Sequence, residues 1–168
     1  MGYKMKKLVT TILTVLLVGL LTGCSAASTN SPTPYTPTSD EPPDNATWIS
    51  PGKVMVTNFY PGARAEYPLL IHNGNSTTAS FNVQYRHPDH VDGAYVKAPA
   101  EAQDWVIIVD PTPVLMPRET REILIVLAMP KDANIDGKKF EFWISVMDAT
   151  QSGTVRTELC SRWLVSMR

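Results

Sequence analysis

Hydrophobic and polar residues alternate along much of the chain after residue 48. Every second residue is apolar in four stretches, which run from Ala65 to Ile71, from Phe81 to Tyr85, from Arg121 to Leu127 and from Phe140 to Val146. A period of two residues is typical of β-strands that bury one face. The pattern therefore predicts four half-buried strands.

Short apolar stretches add strands at Val54–Val56 and Trp105–Val109, and Val155–Met167 is predicted to form the last strand. Prolines surround Val114–Met116, which indicates a short edge strand. Turn residues separate these stretches: Pro61-Gly62 is typical of a type II turn, and Asn73-Gly74 is typical of a hairpin. No stretch after residue 48 has helical periodicity, so we predict an antiparallel β-sandwich of about seven strands. A small closed barrel is the alternative.

The order of these motifs resembles that of immunoglobulin-like domains in bacterial and archaeal surface proteins. The resemblance implies an immunoglobulin-like fold and an extracellular setting, without any particular activity. The Cys…Trp…Cys core of antibody domains is absent, so that branch is excluded. The motifs that carry the resemblance are Tyr60-Pro61-Gly62, His72-Asn73-Gly74-Asn75, Pro113–Thr120, the strand ending at Leu127, Met129–Ala133 and Phe140–Val146.

The N-terminus has the pattern of an export signal. Lys4, Lys6 and Lys7 precede the uncharged, mostly apolar stretch from Leu8 to Leu21. This stretch is shorter than the roughly 20 residues that span a bilayer comfortably. A basic start, a short apolar segment and a small-residue cleavage site indicate a secretory signal peptide.

The end of this signal, Leu21-Thr22-Gly23-Cys24, resembles the lipobox of bacterial lipoproteins. The resemblance implies cleavage between Gly23 and Cys24, diacylglycerol on the Cys24 sulfur and acylation of the new amino terminus. The protein would then be held in a membrane by its lipid and would face away from the cytoplasm. The residue after Cys24 is Ser25, whereas an aspartate at this position would resemble an inner-membrane retention signal. If the source has two membranes, we therefore expect the protein in the outer one.

The chain thus divides into three predicted parts. Residues 1–23 form the lipoprotein signal peptide, residues 24–47 form the lipidated cysteine and a tether, and residues 48–168 form the immunoglobulin-like domain. The tether is rich in proline, serine and threonine and holds one aromatic residue, so it cannot build a hydrophobic core.

Charge and cysteine content narrow the choice of partners. Removal of residues 1–23 takes away three lysines, so Lys+Arg falls from 15 to 12 against 16 Asp+Glu, a mature charge near −4. A mildly acidic domain makes nucleic acid an unfavourable partner. Lipidation of Cys24 leaves Cys160 as the single remaining cysteine, so we expect no internal disulfide. We also expect the domain to be monomeric.

Two polar loops contain residue types that bind metals. Asp132, Asn134 and Asp136 match the first half of a calcium loop, but the position that should supply a bidentate glutamate holds Trp143. A polar turn is the alternative and is favoured.

The second loop holds His87, Asp89 and His90, whose side chains could bind zinc or copper. A solvated loop between strands is its alternative. We expect neither a metal nor another cofactor.

No nucleophile elbow or phosphate-binding loop is present, so the sequence predicts a protein that is not an enzyme. Trp143 should project from the outer face of its strand beside Glu141 and Ser145, where an indole can contact a protein or stack on a sugar. The sequence therefore predicts an envelope protein-interaction or scaffold module. A carbohydrate-binding module is the alternative, and a metal-binding envelope protein is the third possibility.

Overall fold

Ten strands and one short 3₁₀ helix form in the part of the chain that the computed structural model describes, residues 43–91, 93–133, 137–152 and 156–168. The alternating stretches lie in the long strands, where every second apolar side chain faces the core. The strands are β1 (Trp48–Ser50), β2 (Lys53–Phe59), β3 (Arg64–His72), β4 (Ala79–Arg86), β5 (Val96–Lys97), β6 (Val106–Ile108), β7 (Val114–Leu115), β8 (Thr120–Ala128), β9 (Lys139–Asp148) and β10 (Glu158–Met167), and the helix is Ala100–Trp105.

The strands make two sheets. Sheet I has the order β1-β3-β8-β6, and sheet II has the order β2-β10-β9-β4-β7, with β5 also pairing with β9. Neighbouring strands are antiparallel except for β2 with β10 and β5 with β9. The prediction of an immunoglobulin-like β-sandwich is confirmed. The described residues contain more strands than the seven or so expected, because short strands such as β1 and β5 carry too few residues for a visible alternation.

The core lies between the two sheets. Trp163 of β10 is completely buried and stacks on Phe142 of β9, with 5.6 Å between the ring centroids. Tyr67 of β3 meets the same indole edge-on from sheet I, at 5.2 Å. These rings join the two sheets, and the burial of apolar surface between them is the main stabilising contribution.

The two predicted turns have different outcomes. Gly62 has a φ of +83° and Ala63 N–H donates to Tyr60 C=O at 3.0 Å, as a type II turn requires. The hairpin prediction for Asn73-Gly74 is wrong. Neither residue has a positive φ, and β3 and β4 belong to different sheets. Asn73 is buried, and its side-chain amide donates hydrogen bonds to the carbonyls of residues 77, 115 and 116. These bonds tie the connection between β3 and β4 to the end of β7.

The chain before β1 packs against one end of the sandwich. The C=O of Asp44 accepts hydrogen bonds from His72 Nε2 at 2.9 Å and from Arg118 Nη1 at 2.7 Å. Thr47 Oγ1 accepts one from Gly74 N–H at 3.1 Å. The packed chain therefore reaches back to Asp44, beyond the Trp48 at which the domain was expected to begin. Within the described ranges, no helix is both long and apolar enough to cross a membrane.

Candidate functional site

Strand β9 carries the residues expected to form a contact surface. Phe142 and Ile144 of this strand are completely buried in the core. Trp143 alternates with them and therefore lies on the outer face of sheet II, as the sequence pattern indicated. Strand β10 places Arg162 beside Trp143 and Cys160 beside Ser145, because these residues pair in the antiparallel register of β9 and β10.

The outer face is less accessible than the alternation predicted. Glu141 and Ser145 are both completely buried, so they are not exposed contact residues beside Trp143 as the sequence pattern predicted. Strand β5 pairs with β9 alongside Glu141, and the chain that follows stays there, since Ala98 N–H donates to the C=O of Glu141 at 2.9 Å. In this conformation Trp143 is the accessible member of the three.

The Glu141 side chain is held by hydrogen bonds in this covered region. Its carboxylate accepts hydrogen bonds from Trp143 Nε1 at 2.7 Å and from Arg162 Nε at 2.9 Å. Arg162 Nη2 donates to the second carboxylate oxygen at 3.1 Å. A buried carboxylate needs this kind of compensation, because the loss of hydration is costly. The cluster therefore stabilises the sheet and fixes the orientation of the Trp143 ring.

A second charged cluster lies nearer the β9–β10 connection. Ser145 Oγ donates to Glu158, and the guanidinium of Arg86 pairs with the same carboxylate. These hydrogen bonds, that from Arg86 first, hold the pKa of Glu158 below its usual range. Burial raises the pKa of the Cys160 thiol, and the Glu158 carboxylate adds to that rise. A thiol with a raised pKa is a poor nucleophile at neutral pH.

Trp143 itself is partly buried. His90, from the connection between β4 and β5, meets the indole edge-on with 6.1 Å between ring centroids. The connection also bonds back to the sheet, since Asp89 pairs with Arg86 at 3.1 Å. Trp143 and His90 therefore form one composite aromatic surface, which we call the Trp143–His90 surface.

The same contacts bear on the proposed zinc or copper loop. His87 Nδ1 lies 3.5 Å from Tyr85 Oη, Asp89 pairs with Arg86, and His90 contacts Trp143. These three side chains are thus directed to three different neighbours and do not converge on one point. Within the ranges that the structure describes, no group of three or more His, Cys, Asp or Glu residues could hold a metal ion.

Of the proposed calcium loop, Asp132 is exposed in the turn after β8, and Ala133 N–H donates to Pro130 C=O at 3.4 Å. Asn134 and Asp136 lie outside the described residues.

Arg162 and Glu158 are the residues of this face whose contacts sequence reasoning missed. Both alternate with the core residues of β10, and the pattern places them on its polar face. Their pairing with Glu141 and Arg86 depends on the register between strands, which the pattern does not contain.

No protein-family model matches the sequence, and no curated protein matches it either. Solved structures match it in fold. PapD-like domain 7 of human CEP192 is 12% identical, covers 80% of this chain and 93% of its own length, and has a TM-score of 0.54. The periplasmic chaperone SfaE is 11% identical over 73% of this chain, with a TM-score of 0.53. The class 5 fimbriae chaperone CfaA is 8% identical over 73%, with a TM-score of 0.51.

The match covers 58% of SfaE and 57% of CfaA, so this chain spans a little over half the length of those two chaperones. At such low identity the likeness concerns the fold alone. The described part of the chain is an immunoglobulin-like β-sandwich, similar in fold to PapD-like domains.

Proposed function

We propose that this protein is an exported lipoprotein, anchored in a membrane of the cell envelope through Cys24, whose sandwich acts as a non-catalytic interaction or scaffold module. The lipobox resemblance supports the anchor. The charged groups on the outer face of sheet II support a role without catalysis, because Glu141 and Glu158 bond to Arg162 and Arg86.

The observation that carries the proposal is the attachment of residues 44–48 to the domain, which we call the tether root. His72 is buried, stacks on Trp48 with 5.0 Å between the rings, and bonds to the Asp44 carbonyl at 2.9 Å. Arg118 bonds to the same carbonyl at 2.7 Å. A tether that joins the domain through a fixed root holds the domain at a defined end, which suits a module that presents a surface to a partner.

For the contact itself we propose the Trp143–His90 surface. An indole that is oriented by Glu141 and keeps part of its ring exposed loses little conformational freedom on binding, as hot-spot residues require. A protein partner is the first candidate.

Carbohydrate binding is the second candidate, because Trp143 could stack on a sugar ring. The edge-on contact of His90 with the indole leaves less of the ring available for stacking and makes this candidate less favourable.

Fractionation and crosslinking test the proposal. Cys24→Ser is expected to release the domain from the membrane fraction or to stall signal cleavage, and normal cleavage with unchanged membrane retention would contradict the anchor. Crosslinking on intact membranes is expected to give a partner adduct that Trp143→Ala reduces. Equal adducts from the wild type and Trp143→Ala would contradict the Trp143–His90 surface.

A further inference from the structure

The exposed apolar side chains of the domain are unevenly distributed. Seven large ones are exposed among the described residues, and four of these lie in one short part of the chain. Single exposed apolar residues are ordinary, whereas grouped ones mark interaction sites. The four are Ile107, Val109, Val114 and Met116.

Two of them join a continuous apolar area on sheet I. Ile107 of β6 pairs with Val126 of β8, and Val109 N–H donates to Leu124 C=O at 3.1 Å. Leu124 pairs in turn with Pro68 of β3. Neighbouring positions on these strands, such as Ile125 and Leu69, are completely buried in the core, so this area faces away from it.

We call this area the β6 patch and define it as Ile107, Val109, Leu124, Val126 and Pro68. Val126 forms its buried floor, with 2% exposure, while Ile107 and Val109 are 46% and 60% exposed. Strand β6 ends the order of sheet I among the described strands. The patch therefore combines an apolar face with a sheet edge.

Carboxylates lie near the patch, some on the same sheet face and others close to it in sequence. The stretch from Ala98 to Pro117 contains no lysine or arginine and three acidic residues, Glu101, Asp104 and Asp110. On the sheet face, exposed Glu122 precedes Leu124 by two positions and Glu66 precedes Pro68 by two. Arg64 lies on the same face, and its guanidinium bonds to Glu66 at 3.0 Å.

The acidic residues near the β6 patch favour some classes of binding partner over others. Anionic lipid headgroups would be repelled by the acidic rim. A second copy of the chain would bring the same rim against itself, which is unfavourable for like charges. Edge strands are commonly protected by lysine, as β2 is by exposed Lys53, and the β6 patch has no such residue.

We propose that the β6 patch binds a segment of a partner protein whose aliphatic side chains are flanked by lysine or arginine. The aliphatic groups cover Ile107, Val109 and Leu124, and the cations pair with Glu122 and Asp110. The proposal goes beyond the Trp143–His90 surface and rests on the proposed function only in that the domain binds protein. Two separate surfaces would allow the module to bridge two partners.

A defined peptide pair tests the patch. The lipidated full-length protein is placed in phosphatidylcholine nanodiscs and titrated against a fluorescent peptide of alternating leucine and lysine. A matched peptide of leucine and glutamate and empty nanodiscs are the controls. We expect binding of the lysine peptide alone, weakened by salt.

Matched variants locate the binding. Val109→Lys is expected to weaken binding of the lysine peptide by at least about tenfold, the loss of a hot-spot contact. Met55→Lys adds the same charge at an exposed apolar residue of β2, 45% exposed, and should leave the affinity unchanged. Glu122→Lys, at an exposed position, is expected to shift the preference toward the glutamate peptide without disturbing the core.

Other outcomes overturn the proposal. Equal effects of Val109→Lys and Met55→Lys would show that binding is not located at the patch. Self-association that Val109→Lys abolishes would identify a second copy as the occupant, and Val109-dependent binding to anionic vesicles would identify lipid. Trp143→Ala should leave peptide binding unchanged. If the lysine peptide does not bind while crosslinking still depends on Trp143, only the β6 patch proposal is overturned.

Discussion

The guanidinium of Arg162 donates two hydrogen bonds to the carboxylate of Glu141, from Nε to Oε1 at 2.9 Å and from Nη2 to Oε2 at 3.1 Å. The two residues differ in their exposure: the Glu141 side chain is completely buried, whereas that of Arg162 is 35% exposed. Water can therefore hydrate the Arg162 guanidinium if Glu141 is removed, but it cannot hydrate the buried Glu141 carboxylate if Arg162 is removed.

This asymmetry predicts unequal effects of two substitutions. Arg162→Met leaves a buried carboxylate without its guanidinium, and should lower the free energy of unfolding by about 3 kcal/mol. Glu141→Gln keeps the shape and leaves the charge on the partly exposed arginine, and should cost about 1 kcal/mol. Urea unfolding of both variants measures the difference. Equal losses, or a larger loss in Glu141→Gln, would contradict this account of the ion pair.

Alternation along the sequence was enough to orient Trp143 and Trp163 correctly, because each belongs to a strand that buries one face. It could not show that Glu141 is covered. Glu141 bonds to Arg162 of β10 and lies next to the pairing of β5 with β9, in which Val96 lies beside Phe140. Both contacts join distant parts of the chain. Two residues of strand contain no alternation from which this pairing could be inferred.

The Asn73-Gly74 connection shows a related limit. Turn propensity describes the local backbone and does not show which sheet the next strand joins. In this fold β3 and β4 lie in different sheets, and Asn73 serves as a buried hydrogen-bonding side chain. The β6 patch was also beyond sequence reasoning, because its residues come from three strands that become neighbours only in sheet I.

Acid should weaken the cluster around Glu158. Arg86 and Ser145 lower the pKa of this carboxyl below its ordinary value of 4.5. A lowered pKa in the folded state contributes stability above pH 4.5, and this contribution is lost as the pH falls from 4.5 through the lower folded value. Arg86→Met should therefore reduce stability at neutral pH and flatten its decline over this acidic range. Thermal unfolding from pH 7 to pH 3 measures both effects, and an unchanged slope would contradict the assignment.

The two tryptophans of sheet II should separate binding from stability. Trp163→Ala removes a completely buried indole that contacts Phe142 and Tyr67, and should cost about 3–5 kcal/mol. Trp143→Ala removes a partly buried ring and its bond to Glu141, so we expect a smaller cost of about 1–2 kcal/mol. The same change should weaken partner binding by about 2 kcal/mol or more. If Trp143→Ala destabilises the domain as strongly as Trp163→Ala, the indole is part of the packing and the binding hypothesis fails.

The tether root depends on the absence of a side chain at Gly74. A Cβ built there would lie 2.2 Å from the carbonyl carbon of Ala46 and 2.4 Å from the Thr47 nitrogen. Both are backbone atoms, so residues 44–48 would have to move away from the sandwich. Gly74→Ala should therefore cost about 1–3 kcal/mol through overpacking, and should speed proteolytic cleavage near the root because Asp44 loses its contacts with His72 and Arg118.

Gly52 offers a matched control, because a Cβ at that glycine would meet nothing within 4 Å. Gly52→Ala should leave both the free energy of unfolding and the cleavage rate near the root unchanged. Limited proteolysis of the two variants, with the cleavage sites read by mass spectrometry, compares them directly. Cleavage of Gly74→Ala at the wild-type rate would mean that the root is not held by the packing of Ala46 on Gly74. The fixed presentation of the domain by its tether would then lose its structural basis.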